Sequence, residues 1–252
     1  MIEVTNLTKR YGTHLALDHL TFQVEENEIF GFLGPNGAGK STTMNILTGY
    51  LAPTEGSVKI GGYDIVEDSA RARELIGYLP ELPPVYMDMT PFEYLRFVAE
   101  AKGIARERLR GEIQRVMERT GVTDVKDRLI KTLSKGYRQR IGMAQAILGD
   151  ARVIIMDEPT VGLDPIQIIE FREMIRELGK DHTVILSSHI LPEVSEVCQK
   201  IMIIVKGRLA AIDTAENLAK RIGEAKSALS LEEIFLKFVE RESEHEEDDH
   251  SL

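Results

Sequence analysis

Short apolar runs alternate with amphipathic stretches along this chain. "EIFGFLG", "RVIIMD", "TVILSS" and "KIMIIV" are mainly apolar and six or seven residues long, as strands covered on both faces are. The segments between them carry helical spacing and clear starts. "DPIQIIEFREMIREL" opens with Asp164 as cap, Pro165 in the first turn and Gln167 closing a capping box. Ile168, Phe171, Ile175 and Leu178 then form one apolar stripe. "TPFEYLRFVAEAKG" starts the same way, with Thr90 as cap and Glu93 returning the bond. "SLEEIFLKFV" predicts a last helix, with Ser230 and Glu233 as its box.

Alternation of strands and helices predicts an α/β fold: a mostly parallel sheet with helices on both faces. The beginning differs. "IEVTNLTKRYG" and "HLTFQVEE" predict short antiparallel strands, hence an N-terminal antiparallel β subdomain. The expected organisation is one domain over 1–239. Residues 1–87 and 151–213 form the core, 88–150 an inserted α-helical subdomain, and 214–239 C-terminal helices, with 240–252 as a tail.

Composition sharpens this picture in three ways. The net charge is −10, but "ERESEHEEDDH" at 240–250 holds seven acids and one arginine, so −6 of it is local. That stretch reads as a solvated acidic, disordered tail, and the remaining −4 argues against a nucleic-acid surface. Cys198 is the single cysteine, which excludes an intrachain disulfide and fits a reducing compartment. The spacing places it as a small apolar residue on a helix. No apolar run approaches the roughly 18 residues that span a bilayer, and "MIEVTNLTKRYG" lacks a basic-then-apolar leader pattern. A cytosolic location follows, with any membrane span supplied by another chain.

The chemistry concentrates in two places. "GPNGAGKST" follows a predicted strand and precedes a predicted helix, the setting that the G-x-x-x-x-G-K-S motif requires. Gly34, Pro35, Asn36, Gly37, Ala38 and Gly39 form the loop, and its glycines let backbone N–H groups turn inward around an anion. The helix N-terminus adds positive potential. Lys40 reaches the β- and γ-phosphates, Ser41 can ligand Mg²⁺, and Thr42 can contact the α-phosphate. In a chain of this length such a match arises by chance about 0.01 times. The second place is "RVIIMDEPT", where Asp157 and Glu158 stand at a strand's carboxyl end. Asp157 can hold Mg²⁺ and Glu158 can orient or deprotonate an attacking water.

With "LSKGYRQR" and "SSH", these motifs resemble the ATP-binding cassette ATPases, in the family's order and from Ile2 to about Val239. The resemblance implies an ATP-hydrolysing motor subunit that dimerises head to tail around two ATP–Mg²⁺ and drives a separate membrane permease from the cytoplasmic face. It implies that Tyr11 stacks on adenine, that Glu158 is the catalytic base, that His189 senses the γ-phosphate, and that "VGLD", with Asp164, communicates between subunits. "LSKGYRQR" matches the signature loop, which binds the ATP held by the partner: Ser134, Lys135 and Gly136 face that nucleotide. Tyr137, Ile141, Ala144 and Leu148 form the core-facing stripe that follows.

Two positions depart from the family pattern. Lys135 stands where a second glycine is common, and adds charge at the phosphoryl group or faces solvent. Glu81, in "GYLPELPP", stands where glutamine is usual, and either joins the Mg²⁺ site as a second carboxylate or serves as a partner contact. "LSKG", "YLPE" and "SLEEIFL" resemble the branch paired with exporter-type membrane subunits. The competing expectations are a soluble cassette ATPase of nucleic-acid or ribosome machinery, and a regulator that hydrolyses ATP weakly.

Overall fold

A computed structural model describes residues 1–218. The expected helix at "SLEEIFLKFV", the 219–239 part of the C-terminal helices and the acidic tail lie outside the described residues.

Two sheets form the frame. The first is antiparallel, in the order β2-β1-β4-β5, with β1 at Ile2–Tyr11, β2 at His14–Val24, β4 at Glu55–Ile60 and β5 at Tyr63–Asp64. The second runs β10-β9-β3-β8-β7-β6, built from β3 (Ile29–Leu33), β6 (Ile76–Leu79), β7 (Val153–Asp157), β8 (Thr183–Ser188), β9 (Lys200–Val205) and β10 (Arg208–Asp213). Its pairings are parallel except the last, where β10 turns back antiparallel on β9.

Beta2 begins five residues before the "HLTFQVEE" pattern does. Its first half breaks alternation, with Ala16 and Leu17 buried in succession. The β1–β2 ladder is bulged at several points, and a bulge shifts the side-chain phase by one residue. Period-2 spacing therefore exposes only the regular half.

The central strands are buried on both faces, and each face meets a different layer. Phe30 and Phe32 of β3 pack with Phe22 of the antiparallel sheet, ring centroids 5.3 to 5.9 Å apart. Leu33 and Ile29 point the other way, into the core shared with Phe171, Ile175 and Leu178 of α6 (Pro165–Leu178). Ile168, expected on the same stripe, is only half-buried. Gly31 lies on this face because Cys198 occupies its side-chain space: a Cβ there would sit 2.9 Å from Sγ. Cys198 thus follows the short helix α7 (Leu191–Ser195) rather than lying on it, and burial raises its thiol pKa.

Between β6 and β7 the chain is mainly helical: α3 (Pro91–Ala101), α4 (Arg106–Thr120) and α5 (Lys135–Ala146) follow one another with two 3-10 turns between the last pair. Thr90 and Glu93 form the expected capping box on α3. On α6 only half of the expected box exists. Asp164 accepts from the Gln167 N–H at 2.9 Å, but the Gln167 side chain does not return the bond; it packs over Gly136 instead.

Candidate functional site

Parallel register brings the motifs together. Leu33 pairs with Ser188, Ser187 with Asp157, and Met156 with Leu79. The carboxyl ends of β3, β8, β7 and β6 are therefore level, and the loop that leaves each one opens on the same edge. Beta3 delivers the phosphate loop, β8 delivers His189, β7 delivers Asp157 and Glu158, and β6 leads to Glu81.

The phosphate loop ends at α1 (Lys40–Leu47). Gly39 caps this helix with φ +103°, and no side chain satisfies the first N–H groups. A Cβ at Gly39 would lie 2.6 Å from Leu17 Cδ2 and 2.8 Å from the Ala16 carbonyl, so β2 presses directly on the loop. No acid stands in the first turn of α1, and its positive end is left for an anion.

A cavity of about 540 Å³ opens over that helix end. Asn36, Gly37, Gly39, Lys40, Ser41 and Thr42 form one wall. Tyr11 stands at the rim, half exposed, with the Lys9 ammonium 5.4 Å from its ring centre. Glu158, His189 and Glu81 also line it. Ser41 Oγ makes no hydrogen bond among the described residues.

Lys40 and Glu158 are both buried. Lys40 Nζ donates to the carbonyls of Gly34 and Pro35 at 2.7 and 3.2 Å, and lies 3.2 Å from Glu158 Oε1. The other carboxylate oxygen of Glu158 meets His189 Nδ1 at 2.8 Å. Glu158 itself has φ +46°, a region that side chains rarely occupy and that collects at functional sites. What holds it there is the Ser187 pair of contacts: the Glu158 N–H donates to Ser187 Oγ at 2.9 Å and to the Ser187 carbonyl at 3.2 Å. The same hydroxyl donates to Asp157 Oδ1 at 2.5 Å. One serine thus orients both acids.

Three participants were not singled out by the motifs. Ser187 reads as the end of an apolar strand. His14 lines the cavity beside Tyr11 without a motif of its own. Glu193, almost fully buried, accepts from Thr160 Oγ1 at 2.6 Å and from Ser188 Oγ at 2.8 Å, tying the turn after Glu158 to the turn before His189. Only "SSH" hinted at the serines.

Ser134, Lys135 and Gly136 do not line the cavity. Ser134 caps α5 by accepting from the Tyr137 N–H at 3.3 Å. Ile141, Ala144 and Leu148 are buried as the stripe predicts, while Tyr137 stays half-buried with its hydroxyl donating to Asp124 at 2.7 Å.

An anion cradle on α1, a buried lysine and a strand-end glutamate paired with a histidine make this a P-loop nucleotide-hydrolysing domain. The ABC transporter family matches residues 17–161. The chain is 39% identical over 220 residues to the uncharacterized ABC transporter ATP-binding protein YhcH of Bacillus subtilis, covering 86% of this chain and 71% of that one. It is 38% identical over 223 residues to the bacitracin transport ATP-binding protein BcrA of Bacillus licheniformis, covering 88% and 72%. Among solved structures, an ATP-binding subunit of an ABC transporter superposes with TM-score 0.83 at 29% identity, covering 94% of this chain and 99% of the other. The chain belongs to the ABC transporter family, as an ATP-binding subunit that hydrolyses ATP.

Proposed function

We propose that this chain is the motor of an exporter: two copies, or one copy and a close relative, close head to tail around two ATP molecules and drive a separate membrane permease. The observation that carries this reading is the split between two sets of residues. Lys40, Ser41, Asp157, Glu158 and His189 gather at one edge, whereas Ser134 and Gly136 stand at a helix start outside that cavity. A second chain turned head to tail would bring its Ser134 hydroxyl and Gly136 N–H onto this chain's nucleotide.

In this reading Tyr11 stacks on the base, and free N–H groups of the phosphate loop, such as those of Gly37 and Gly39, and of the start of α1 hold the phosphates. Lys40 exchanges Glu158 for the γ-phosphate. Glu158, released from the lysine, takes a proton from water as the water oxygen bonds to the γ-phosphorus and the bond to ADP breaks. His189 keeps the Glu158 carboxylate aimed through Oε2.

Mg²⁺ fits the donor set. Among the described residues no cluster of three or more His, Cys, Asp or Glu side chains forms a closed cage. Mg²⁺ bound with nucleotide needs none: it takes one or two protein oxygens, with phosphate and water for the rest. The Ser41 hydroxyl and the Asp157 carboxylate, the latter fixed by Ser187, would hold it. When bound it neutralises charge on the β- and γ-phosphates. Glu81 is exposed in the cavity lining, and in this reading it joins the Mg²⁺ site through a water or serves as the permease contact.

No helix among the described residues is long and apolar enough to cross a membrane. The permease therefore supplies the span, and an aromatic patch offers it a seat. Tyr86, itself half exposed, contacts Tyr94 and the exposed Phe97 edge-on, with centroids 6.0 and 5.4 Å apart, and Leu82 and Met87 beside it are exposed. The patch begins immediately after Glu81, so nucleotide contacts and permease contacts share one loop. Export rather than import is supported by the "LSKG" and "YLPE" motifs. Glu158→Gln tests the whole: ATP should still bind and trap a stable dimer, and ordinary turnover in that variant would sink the reading.

A further inference from the structure

Lys135 opens α5, where the helix dipole is already positive and where the first turn holds no acid. A lysine is poorly placed there unless its charge is led away. It is led across to Gly162, in the turn between Glu158 and α6. A Cβ on Gly162 would lie 2.5 Å from Lys135 Nζ, 3.4 Å from Cε and 3.5 Å from Cδ. The end of the lysine, with Nζ foremost and the stem in contact behind it, therefore occupies the place of a side chain at 162, and Gly162, with φ +72°, has the backbone that glycine tolerates best.

The contact is returned. Gln167, in the first turn of α6, lies over Gly136: a Cβ there would sit 2.7 Å from both Cδ and Oε1 of the glutamine. Each segment thus carries a glycine that receives a side chain of the other. Further along the same two helices Arg140 pairs with Glu170 at 2.5 Å. The segment that leaves this chain's own Glu158 is clasped to the loop that would serve the partner's ATP.

We propose that Lys135 is a positioning residue that couples the two ATP sites, by locking the signature loop to Gly162 and so to the strand end that carries Glu158. The proposal rests on the head-to-tail dimer described above. It assigns Lys135 to neither of the alternatives that its sequence position suggests: the half-buried side chain lies against Gly162 of its own chain, and its effect on the partner's nucleotide passes through that contact. Packed side chains between two sites can carry energetic coupling, and the Lys135–Gly162 and Gln167–Gly136 contacts supply such packing between the signature loop and the segment after Glu158. A glycine at 135 would leave Gly162 uncovered and the two segments free to move separately.

The test is steady-state ATPase of the full chain, with its permease, against ATP concentration. Lys135→Ala should lower kcat about tenfold and bring the Hill coefficient down to about 1, with KM within about twofold of wild type and an unchanged Tm. Lys135→Met keeps the unbranched stem without the charge and should recover kcat to within about threefold. Three results overturn the proposal: a methionine variant as impaired as alanine with a raised KM, which makes Lys135 a direct phosphate ligand; an alanine variant with wild-type kcat and Hill coefficient; or a wild-type Hill coefficient of 1. Failure of the dimer reading looks different, because Glu158→Gln would then stay monomeric with ATP whatever residue stands at 135.

Discussion

Lys40 Nζ lies 3.2 Å from Glu158 Oε1, and both side chains are buried. The lysine that should hold phosphate is thus held by the residue that should activate water. In the proposed mechanism a γ-phosphate competes with Glu158 for the same ammonium, and its arrival frees the carboxylate. Glu158→Gln removes that competitor. Its kcat should fall by about 10² to 10⁴ while its Kd for ATP falls rather than rises. Rapid-mixing ATPase and equilibrium nucleotide binding measure the two effects separately. A weaker Kd in the glutamine variant would show that the ion pair does not oppose binding.

Tyr86 and Phe97 bury only part of their rings and stack edge-on at the surface. Truncating both removes the proposed permease seat without touching the phosphate loop. Tyr86→Ala with Phe97→Ala should leave ATP affinity at the wild-type level and lower recovery of the chain with its permease at least about tenfold, since central aromatics at an interface commonly carry 2 kcal/mol or more each. Nucleotide titration reads the first effect and pull-down from detergent extract the second. Undiminished co-purification would place the permease elsewhere.

Glu193 joins Thr160 to Ser188 through one carboxylate oxygen. Glu193→Ala leaves two buried hydroxyls without their acceptor, at a cost of about 1 to 3 kcal/mol. In a chain of this size that lowers Tm by roughly 2 to 4 °C per kcal/mol. Glu193→Gln retains an acceptor oxygen and should recover most of the loss. Turnover should follow the same order, because the Thr160 and Ser188 turns flank Glu158 and His189. Calorimetry and ATPase of the two variants side by side decide it.

The parts most legible in the sequence were those whose chemistry restricts residue choice. Phosphate binding demands glycines, a lysine and a hydroxyl at fixed spacing, so "GPNGAGKST" was readable without the fold. The Thr90–Glu93 box was readable because both partners are local. Legibility ended where a side chain's partner is distant. Gln167 has a good local use as a box member, yet it packs over Gly136, thirty-one residues earlier in the chain. Lys135 has no local partner, and only the approach of α5 to α6 brings Gly162 beneath it. Ser187 stands in a run of buried strand positions, and its two acid contacts depend on β8 lying beside β7 in one register. The missed half of β2 has a different cause: bulges broke the alternation there.

His182 gives the protein an acid-sensitive point away from the nucleotide. It lies buried at the end of α6, with Nδ1 3.1 Å from the Leu178 carbonyl, and burial lowers its pKa below 6.5 despite that hydrogen bond and the nearby Asp181; Arg119 and Arg115 push the same way. In the unfolded chain the imidazole returns to about 6.5. Between the lowered folded value and about 6.5 the unfolded state binds more protons, so stability rises with pH across that window. The neutral histidine's contribution is intact above about pH 6.5 and is lost as pH falls through the folded value. His182→Asn keeps a donor for the Leu178 carbonyl and cannot titrate. Its Tm should therefore drop less than that of the wild type between about pH 7 and pH 5, with the two curves parallel above pH 7. Equal acid slopes for both proteins would move the sensitivity to the carboxylates.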